Sequence, residues 1–339
     1  MSFSATFRRL RARPAAAWAG LRAWWRTASA PTPRDEAAPD AGPASLTDAA
    51  FLRTLDRLAL KTQRRLRGDN IGQRSSFRRL PASDFREHRQ YQPGDDLRHV
   101  DWNASARAEH VFIKMGEQMK EASVHLLLDS SASMQWGRPS KLWAGRRLAA
   151  ALGYIALNYG DRLLVADLAS TAPVYGPKLG KGHVPGLLRH LRELPLQQQA
   201  DLASAAARAA SRHRTPGVRG GYIVLISDLA DVTDLGQILS HWRAPTWQVL
   251  VLHLLHPAEL APTLRGEIEL QDAETAERAN YDLDSHALER YRAFVDDWCA
   301  GLERACREHG AAYARLLADA PLETNMLPYL RRRGVIDAG

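Results

Sequence analysis

Short apolar runs alternate with longer amphipathic segments along the chain after residue 122. The apolar runs at 124–128, 163–166, 222–226, 247–253 and 312–317 are typical of strands that are covered on both faces. Between them, apolar residues recur at helical spacing over 141–159, 184–194, 202–212, 234–242 and 284–309. This alternation predicts an α/β fold, in which an open and mostly parallel sheet is flanked by helices.

The chain before residue 123 has a different pattern. Residues 1–27 interleave arginine with aromatic residues and form a basic aromatic arm, and residues 28–47 form a linker rich in proline and alanine. A helix is expected from about residue 49 to 66, before a small β-rich or irregular insertion with a half-buried strand at 109–114. The expected domains are therefore 48–122, which joins this helix to the insertion, and 123–333, with a tail at 334–339.

Most of the net positive charge lies at the start of the chain. The whole sequence has a formal net charge of +8, but seven arginines fall within residues 1–34, where there is no Asp or Glu. The rest of the chain is close to neutral, so we expect no nucleic-acid-binding surface. The arm itself is compatible with a helix that lies on anionic lipid, with a transit peptide or with a solvated tail.

Two features bear on the cellular compartment. No uninterrupted apolar run reaches the roughly 18 residues that a membrane-spanning helix needs. Cys299 and Cys306 fall in one predicted helix and exclude a disulfide scaffold, which favours a reducing compartment. We therefore expect a cytoplasmic protein, and residues 1–30 are the segment suited to peripheral contact with the inner face of the membrane.

Oxygen-bearing side chains follow two of the predicted strands. Asp129, Ser131 and Ser133 come directly after the strand at 124–128, and Asp228 follows the strand at 222–226. Hard divalent cations such as Mg²⁺, Mn²⁺ or Ca²⁺ take oxygen ligands of this kind. If the two strands are neighbours, the four side chains form an exposed, oxygen-lined cup. The alternative is a simple turn and helix cap, because Asp and Ser dominate both.

Two motifs resemble those of known families. The spacing D-x-S-x-S at 129–133, with an Asp after a later strand, resembles the metal-ion-dependent adhesion site (MIDAS) of Rossmann-like von Willebrand factor A domains. The run RQYQPGDDLRHVDWNASAR at 89–107 resembles the signature R-x-Y-x-P-G-D-D-x-R-x-x-D-W-x-x-x-A-R of a bacterial family known as domain of unknown function 58. The resemblance covers about residues 60–333 and implies an A-domain core preceded by a small insertion.

The resemblance also implies a function. Members of this family are thought to act as adaptor or chaperone-like partners of a MoxR-type AAA+ ATPase, and an acidic group of the bound partner usually completes the metal shell of an A domain. By motif matching, Asp129, Ser131, Ser133 and Asp228 carry over as metal ligands. Ala200 stands where A domains usually place a threonine ligand, so Asp201, Ser204 or a water would have to replace it.

The signature at 89–107 has two interpretations. In the first, which we favour, it is a structural clasp: Arg98 and Arg107 pair with neighbouring carboxylates, and Trp102 anchors the loop on the core. In the second it is a partner-binding face. The residues concerned in either case are Arg89, Tyr91, Asp95, Asp96, Arg98, Asp101, Trp102 and Arg107.

The alternatives to a protein-interaction module are an enzyme and a membrane-surface scaffold that uses the N-terminal arm. Asp129 has the position of a nucleophile in a metal-dependent hydrolase or phosphatase, but Ser131 stands where the second, acid–base Asp is needed. The sequence has neither a G-x-S-x-G elbow nor a Walker motif. The histidines, including His253 and His256, lack the spacing of a helix-borne zinc pair and are expected at the surface or satisfied in the core. We therefore expect a non-enzymatic protein.

Overall fold

The structure is a computed structural model. It describes residues 46, 48–49, 51–53, 55–56, 85–93, 97, 100–107, 110–116, 122–168, 174–195, 202–212, 220–230, 232–242, 246–271, 278–322 and 327–332. The predicted arm and tail, and the linker apart from Leu46, lie outside these residues and stay predictions. The chain divides into a larger unit, residues 1–66 and 122–339, and a smaller unit, residues 67–121.

The smaller unit contains a β-hairpin and a short helix. Strand β1 (Phe85–Gln90) pairs antiparallel with strand β2 (Phe112–Gly116), and helix α1 (Trp102–Ser105) lies between them in the chain. The strand predicted at 109–114 is confirmed as β2, displaced by a few residues. Its partner β1 was not predicted, because its sequence FREHRQ is almost entirely polar.

The larger unit holds the remaining elements. Its strands are β3 (Ser123–Leu128), β4 (Arg162–Asp167), β5 (Tyr175–Lys178), β6 (Gly221–Ser227), β7 (Trp247–Leu255), β8 (Gly266–Gln271), β9 (Arg278–Leu283) and β10 (Ala312–Leu317). Its helices are α2 (Lys141–Tyr159), α3 (Val184–Glu193), α4 (Leu202–Arg212), α5 (Leu235–Leu239), α6 (Pro257–Leu260), α7 (Ser285–Glu308) and α8 (Leu327–Arg332). No described helix combines the length and the hydropathy required to traverse a lipid bilayer.

The central sheet has six strands in the order β10-β7-β6-β3-β4-β5. All neighbouring pairs are parallel except β4 and β5, which are antiparallel. The predicted open, mostly parallel sheet is therefore confirmed. Strands β8 and β9 form a separate antiparallel hairpin, which was not predicted because polar and charged residues occupy many of its positions.

Alternate residues of the strands enter two hydrophobic cores, one on each face of the sheet. Leu126 and Leu128 belong to the core beneath α2 and α3, whereas Leu127 belongs to the core beneath α4, α5 and α7. The described part of the N-terminal helical segment also enters the first core, through Phe51 and Leu55. Because both faces are covered, the strands are continuous apolar runs, as the sequence pattern indicates.

Helix α2 begins and ends at recognisable caps. The Ser140 hydroxyl accepts a hydrogen bond from the Trp143 N–H at the start, and Gly160 adopts φ 79° at the end. The left-handed backbone conformation at this position favours glycine. These two caps explain why the predicted bounds, 141–159, are those of the structure.

The order of the strands places a crevice between β3 and β6. Strand β3 leads through α2 to β4 on one side, and β6 leads through α5 to β7 on the other. Chain connections therefore diverge at this point, and the carboxyl ends of β3 and β6 lie side by side without a crossover above them. In open α/β sheets, ligands bind at such a switch point.

Candidate functional site

The four side chains predicted as metal ligands come together at the switch point. Asp129 follows β3 and Asp228 follows β6, and Leu128 is paired with Ile226 in the parallel register of these strands. The Ser131 and Ser133 hydroxyl oxygens lie 3.1 Å apart. The Ser133 hydroxyl also hydrogen-bonds to the Asp228 carboxylate, which joins the loop after β3 to the loop after β6.

Both carboxylate oxygens of Asp129 accept hydrogen bonds. Oδ1 accepts from the Ser131 N–H at 3.0 Å, and Oδ2 accepts from the Ser227 hydroxyl at 2.6 Å. Burial and the nearby charge of Asp228 raise the pKa of Asp129 to about 7. Asp129 is therefore a buried carboxyl group whose ionised form is disfavoured in this environment.

A tight turn after β6 fixes the direction of Asp228. The Ser227 hydroxyl accepts from the Leu229 N–H at 2.9 Å, and Asp228 Oδ1 accepts from the Ala230 N–H at 3.2 Å. Leu229 has φ 55° and is fully buried. A non-glycine residue in this region is strained, and such strain is common at functional sites.

A lysine lies directly against Asp228. Lys141 Nζ donates to Asp228 Oδ2 at 2.7 Å and to Glu259 Oε1 at 2.5 Å, and all three side chains are at most 1% exposed. Burial disfavours the charged form of Lys141, but the two carboxylates outweigh burial and raise its pKa. Burial likewise favours the neutral form of Asp228, yet the lysine lowers the pKa of this carboxyl below its ordinary value. Lys141 and Asp228 therefore form a buried ion pair.

The turn after β7 holds Glu259. Its Oε2 accepts from the His256 N–H at 2.6 Å, while the His256 ring accepts from the Ala258 N–H, so the two residues form a capping box at the start of α6. The His256 ring also packs edge-on against Trp136 and lies 2.5 Å from where a Cβ of Gly137, with φ 95°, would stand. Glycine at this position lets the loop after β3 meet the turn after β7.

Two further polar contacts support the carboxyl edge of the sheet. The His253 ring contacts the Asp228 carbonyl oxygen at 2.9 Å and the Tyr313 hydroxyl at 2.7 Å, and burial lowers the pKa of His253 to about 3. This histidine is thus neutral and satisfied in the core, as expected. The Ser130 hydroxyl reaches both oxygens of Asp167 at 2.8 Å, which ties β4 to the same loop.

The expectation that these four side chains form an exposed, oxygen-lined cup is wrong. Asp129, Ser131, Ser133 and Asp228 are each 1% exposed. Asp228 is covered by Lys141, which also contacts Glu259 in the turn after β7. Asp129 is enclosed by its hydrogen bonds with Ser131 and Ser227. A partner can reach this site only if these residues move.

The donors still fit a hard divalent cation in chemistry and charge. Asp129, Ser131, Ser133 and Asp228 supply oxygen atoms only, as Mg²⁺ prefers. Lys141 pairs with Asp228 and Glu259 but not with Asp129, so the three carboxylates, when all are ionised, outnumber the one ammonium. Among the described residues, no group of three or more Asp, Glu, His or Cys side chains is arranged to hold a metal, so a cation would depend on the serine hydroxyls and water.

The remaining members of the predicted ligand set are only partly described. Ser204, one of the possible substitutes for the missing threonine, is exposed on helix α4. Ala200 and the possible substitute Asp201 lie outside the described residues, and so do Asp95, Asp96 and Arg98 of the upstream signature. Their predicted roles stay predictions.

The rest of the signature divides between a structural and an exposed group. Asp101 caps helix α1 by accepting from the Asn103 and Ala104 N–H groups, and it contacts the His88 ring at 2.9 Å. Arg89 and Tyr91 are half-buried on and after β1, and Arg107 is exposed. The expected anchoring of Trp102 in the core is wrong, because its side chain is 66% exposed at the start of a helix that buries none of its residues.

Lys141, Glu259 and Ser227 were not identified from the sequence. A signal for Lys141 was present, since it occupies the first position of a helix, where the dipole disfavours a cation. A lysine at such a position points to a nearby carboxylate. Glu259 and Ser227 carried no comparable signal.

Comparisons with known proteins agree with the upstream signature. Residues 87–297 match the family described as protein of unknown function DUF58. Uncharacterized proteins of Mycobacterium tuberculosis and Mycobacterium bovis are 30% identical over 301 residues, which cover 85% of this chain and 91% of theirs.

Solved structures with similar folds include two from distant proteins. An aerotolerance-related membrane protein from Bacteroides fragilis is 18% identical, with a TM-score of 0.42 over 63% of this chain and 98% of its own. The SpRpn10 VWA domain is 13% identical, with a TM-score of 0.37 over 61% of this chain and 94% of its own. The sequence match over most of the chain shows that the protein belongs to the DUF58 family of unknown function.

Proposed function

We propose that the protein is a non-enzymatic protein-interaction module that recognises an acidic group of its partner through a divalent cation. The observation that carries this proposal is the convergence of Asp129 and Asp228 with two serine hydroxyls at the switch point of the sheet. A site at this place on an open sheet is suited to binding, because neighbouring loops can move without disturbing the strands.

The residues of the site have separate roles in this proposal. Asp129 and Asp228 would hold Mg²⁺, or Mn²⁺ or Ca²⁺, with help from the Ser131 and Ser133 hydroxyls. The cation supplies a positive charge that attracts a carboxylate of the partner. Ser227 orients Asp129 through its 2.6 Å hydrogen bond.

The partner that the family resemblance favours is a MoxR-type AAA+ ATPase, for which the protein would act as an adaptor or chaperone-like subunit. Since the site is closed in this structure, binding requires Lys141 to leave Asp228. The contact that must break is the 2.7 Å ion pair between these two residues.

The geometry does not favour the enzymatic alternative. A phosphatase nucleophile needs an oxygen that faces the substrate, but both oxygens of Asp129 accept hydrogen bonds from the protein and the residue is 1% exposed.

A pull-down with the purified MoxR-type ATPase of the same genome tests the proposal. Capture should depend on Mg²⁺, should fall after chelation with EDTA, and should be lost in Asp129→Ala. The matched control is Asp297→Ala, which removes an exposed carboxylate from helix α7 and should leave capture unchanged. Capture that resists both EDTA and Asp129→Ala would contradict the proposal.

A further inference from the structure

We propose that Lys141 is a tethered cation that competes with a divalent metal for Asp228, so that the site exchanges one positive charge for the other. In the lysine form the site is closed, as it is in this structure. The metal form is the one able to bind a partner. The inference deepens the proposed function and rests on it in one respect, that a divalent cation binds among Asp129, Ser131, Ser133 and Asp228.

The first argument is the position of the ammonium. Lys141 Nζ occupies the hydrogen-bonding position at Asp228 Oδ2, 2.7 Å away, and the lysine side chain has no exposed surface. Two cations that share one carboxylate in a buried site repel each other strongly, because little water screens them. A metal that binds Asp228 therefore has to displace the lysine.

The second argument is that the displaced lysine has a second partner. Glu259 Oε1 already accepts from Lys141 Nζ at 2.5 Å. The opposite oxygen of Glu259 is fixed by the His256 N–H at 2.6 Å, so the carboxylate stays in place when the lysine moves. An ammonium on a flexible four-carbon stem can keep its ion pair with Glu259 while it leaves Asp228.

The third argument is the charge balance. Asp129, Asp228 and Glu259 carry three negative charges when all are ionised, and Lys141 supplies one positive charge. One divalent cation neutralises the remainder, so the metal form is balanced with the lysine paired to Glu259. In the lysine form, by contrast, no cationic side chain of the described residues pairs with Asp129.

The test is Mn²⁺ binding to the full-length protein, measured by the loss of the free Mn²⁺ signal in electron paramagnetic resonance. The variant Lys141→Met should bind Mn²⁺ about tenfold more tightly or better, because it removes the positive charge that lies beside Asp228. The matched control is Lys181→Met, an exposed lysine before α3, which should leave the affinity unchanged. Unchanged or weaker binding in Lys141→Met would overturn the proposal.

A second pair of variants keeps the test decisive if Lys141→Met does not fold. Lys141→Met with Glu259→Gln removes the cation together with one carboxylate, and it should also bind Mn²⁺ more tightly. Glu259→Gln alone removes the second partner of the lysine, which then stays on Asp228, and it should bind more weakly than the native protein. The reverse order of these two affinities would overturn the exchange.

The outcomes separate this inference from the proposed function. If Lys141→Met tightens Mn²⁺ binding while partner capture ignores EDTA, the exchange stands and the proposed function falls. If neither the native protein nor any variant binds Mn²⁺, both fall.

Discussion

Lys141 Nζ and Asp228 Oδ2 lie 2.7 Å apart, although the two residues are 87 positions apart in the sequence and both are buried. Burying an ion pair is expensive, and apolar residues of similar volume often stabilise a fold equally well. The position of this pair at the carboxyl edge of the sheet, beside two serine hydroxyls and a further carboxylate, is therefore not explained by stability alone.

Removing the lysine alone should be strongly destabilising. Lys141→Met leaves the Asp228 and Glu259 carboxylates buried and unpaired, and we expect a loss of about 3–5 kcal/mol in the free energy of unfolding. Urea denaturation followed by circular dichroism measures this loss. Lys141→Met combined with Asp228→Asn should cost less than Lys141→Met alone, because one of the unpaired charges is also removed. An equal or larger loss in the double variant would contradict the ion-pair interpretation.

Asp129 should give the site a measurable pH dependence. Folding raises the pKa of Asp129 from 3.8 to about 7, so the folded state binds this proton more tightly than the unfolded state. Its contribution to stability is present below pH 3.8 and is lost as the pH rises through about 7. The pKa of His253, lowered to about 3, acts in the opposite direction, because the unfolded state binds that proton more tightly.

The comparison of Asp129→Asn with the native protein isolates the aspartate. Between pH 4 and pH 7, the stability of the variant relative to the native protein should rise by up to about 1.4 kcal/mol per pH unit. Urea denaturation at several pH values without divalent cations provides the measurement. Asp297→Asn, at an exposed position, should reproduce the native profile. A constant difference between Asp129→Asn and the native protein would show that the carboxyl is not perturbed.

Divalent cations should stabilise the folded protein through the serine hydroxyls. At a hundredfold excess of Mg²⁺ over its Kd, we expect a gain of about 2.7 kcal/mol and a higher Tm, reversed by EDTA. Ser133→Ala should lower stability by about 1 kcal/mol and should also reduce the Mg²⁺-dependent rise in Tm. Ser285→Ala, at an exposed position, is the control, and an equal Mg²⁺ effect in both variants would exclude Ser133 as a ligand.

Adjacent residues of the upstream signature should behave differently. Asp101→Ala removes the cap of α1 and the contact with His88, so hydrogen exchange in the hairpin of β1 and β2 should accelerate, for a loss of about 1 kcal/mol. Trp102→Ala removes a side chain that is 66% exposed. It should change the opening free energy measured by hydrogen exchange by less than about 0.5 kcal/mol. If Trp102→Ala has the larger effect, the tryptophan is an anchor after all.

Those elements of the fold were predictable whose own sequence marks where they begin and end. Helix α2 was predicted to the residue because a serine cap and a left-handed glycine mark its ends. Strand β5 was not predicted, because its sequence YGPK contains glycine and proline, which are tolerated only at the edge of a sheet.

The site was only partly predictable. The four oxygen-bearing side chains follow strands, so the rule that parallel strands end at one edge was sufficient to bring them together. The closure of the site was not predictable, because it depends on Lys141 meeting Glu259 across 118 positions of sequence. Periodicity describes each element alone and contains no information on such long-range contacts.

The sequence separations also fix the order in which the centre can assemble during synthesis. Lys141 leaves the ribosome before either of its carboxylate partners, which follow 87 and 118 residues later. A nascent chain that ends before Glu259 therefore offers the lysine only one of its two counter-charges, and the buried ion-pair cluster is complete only after residue 259 has been synthesised.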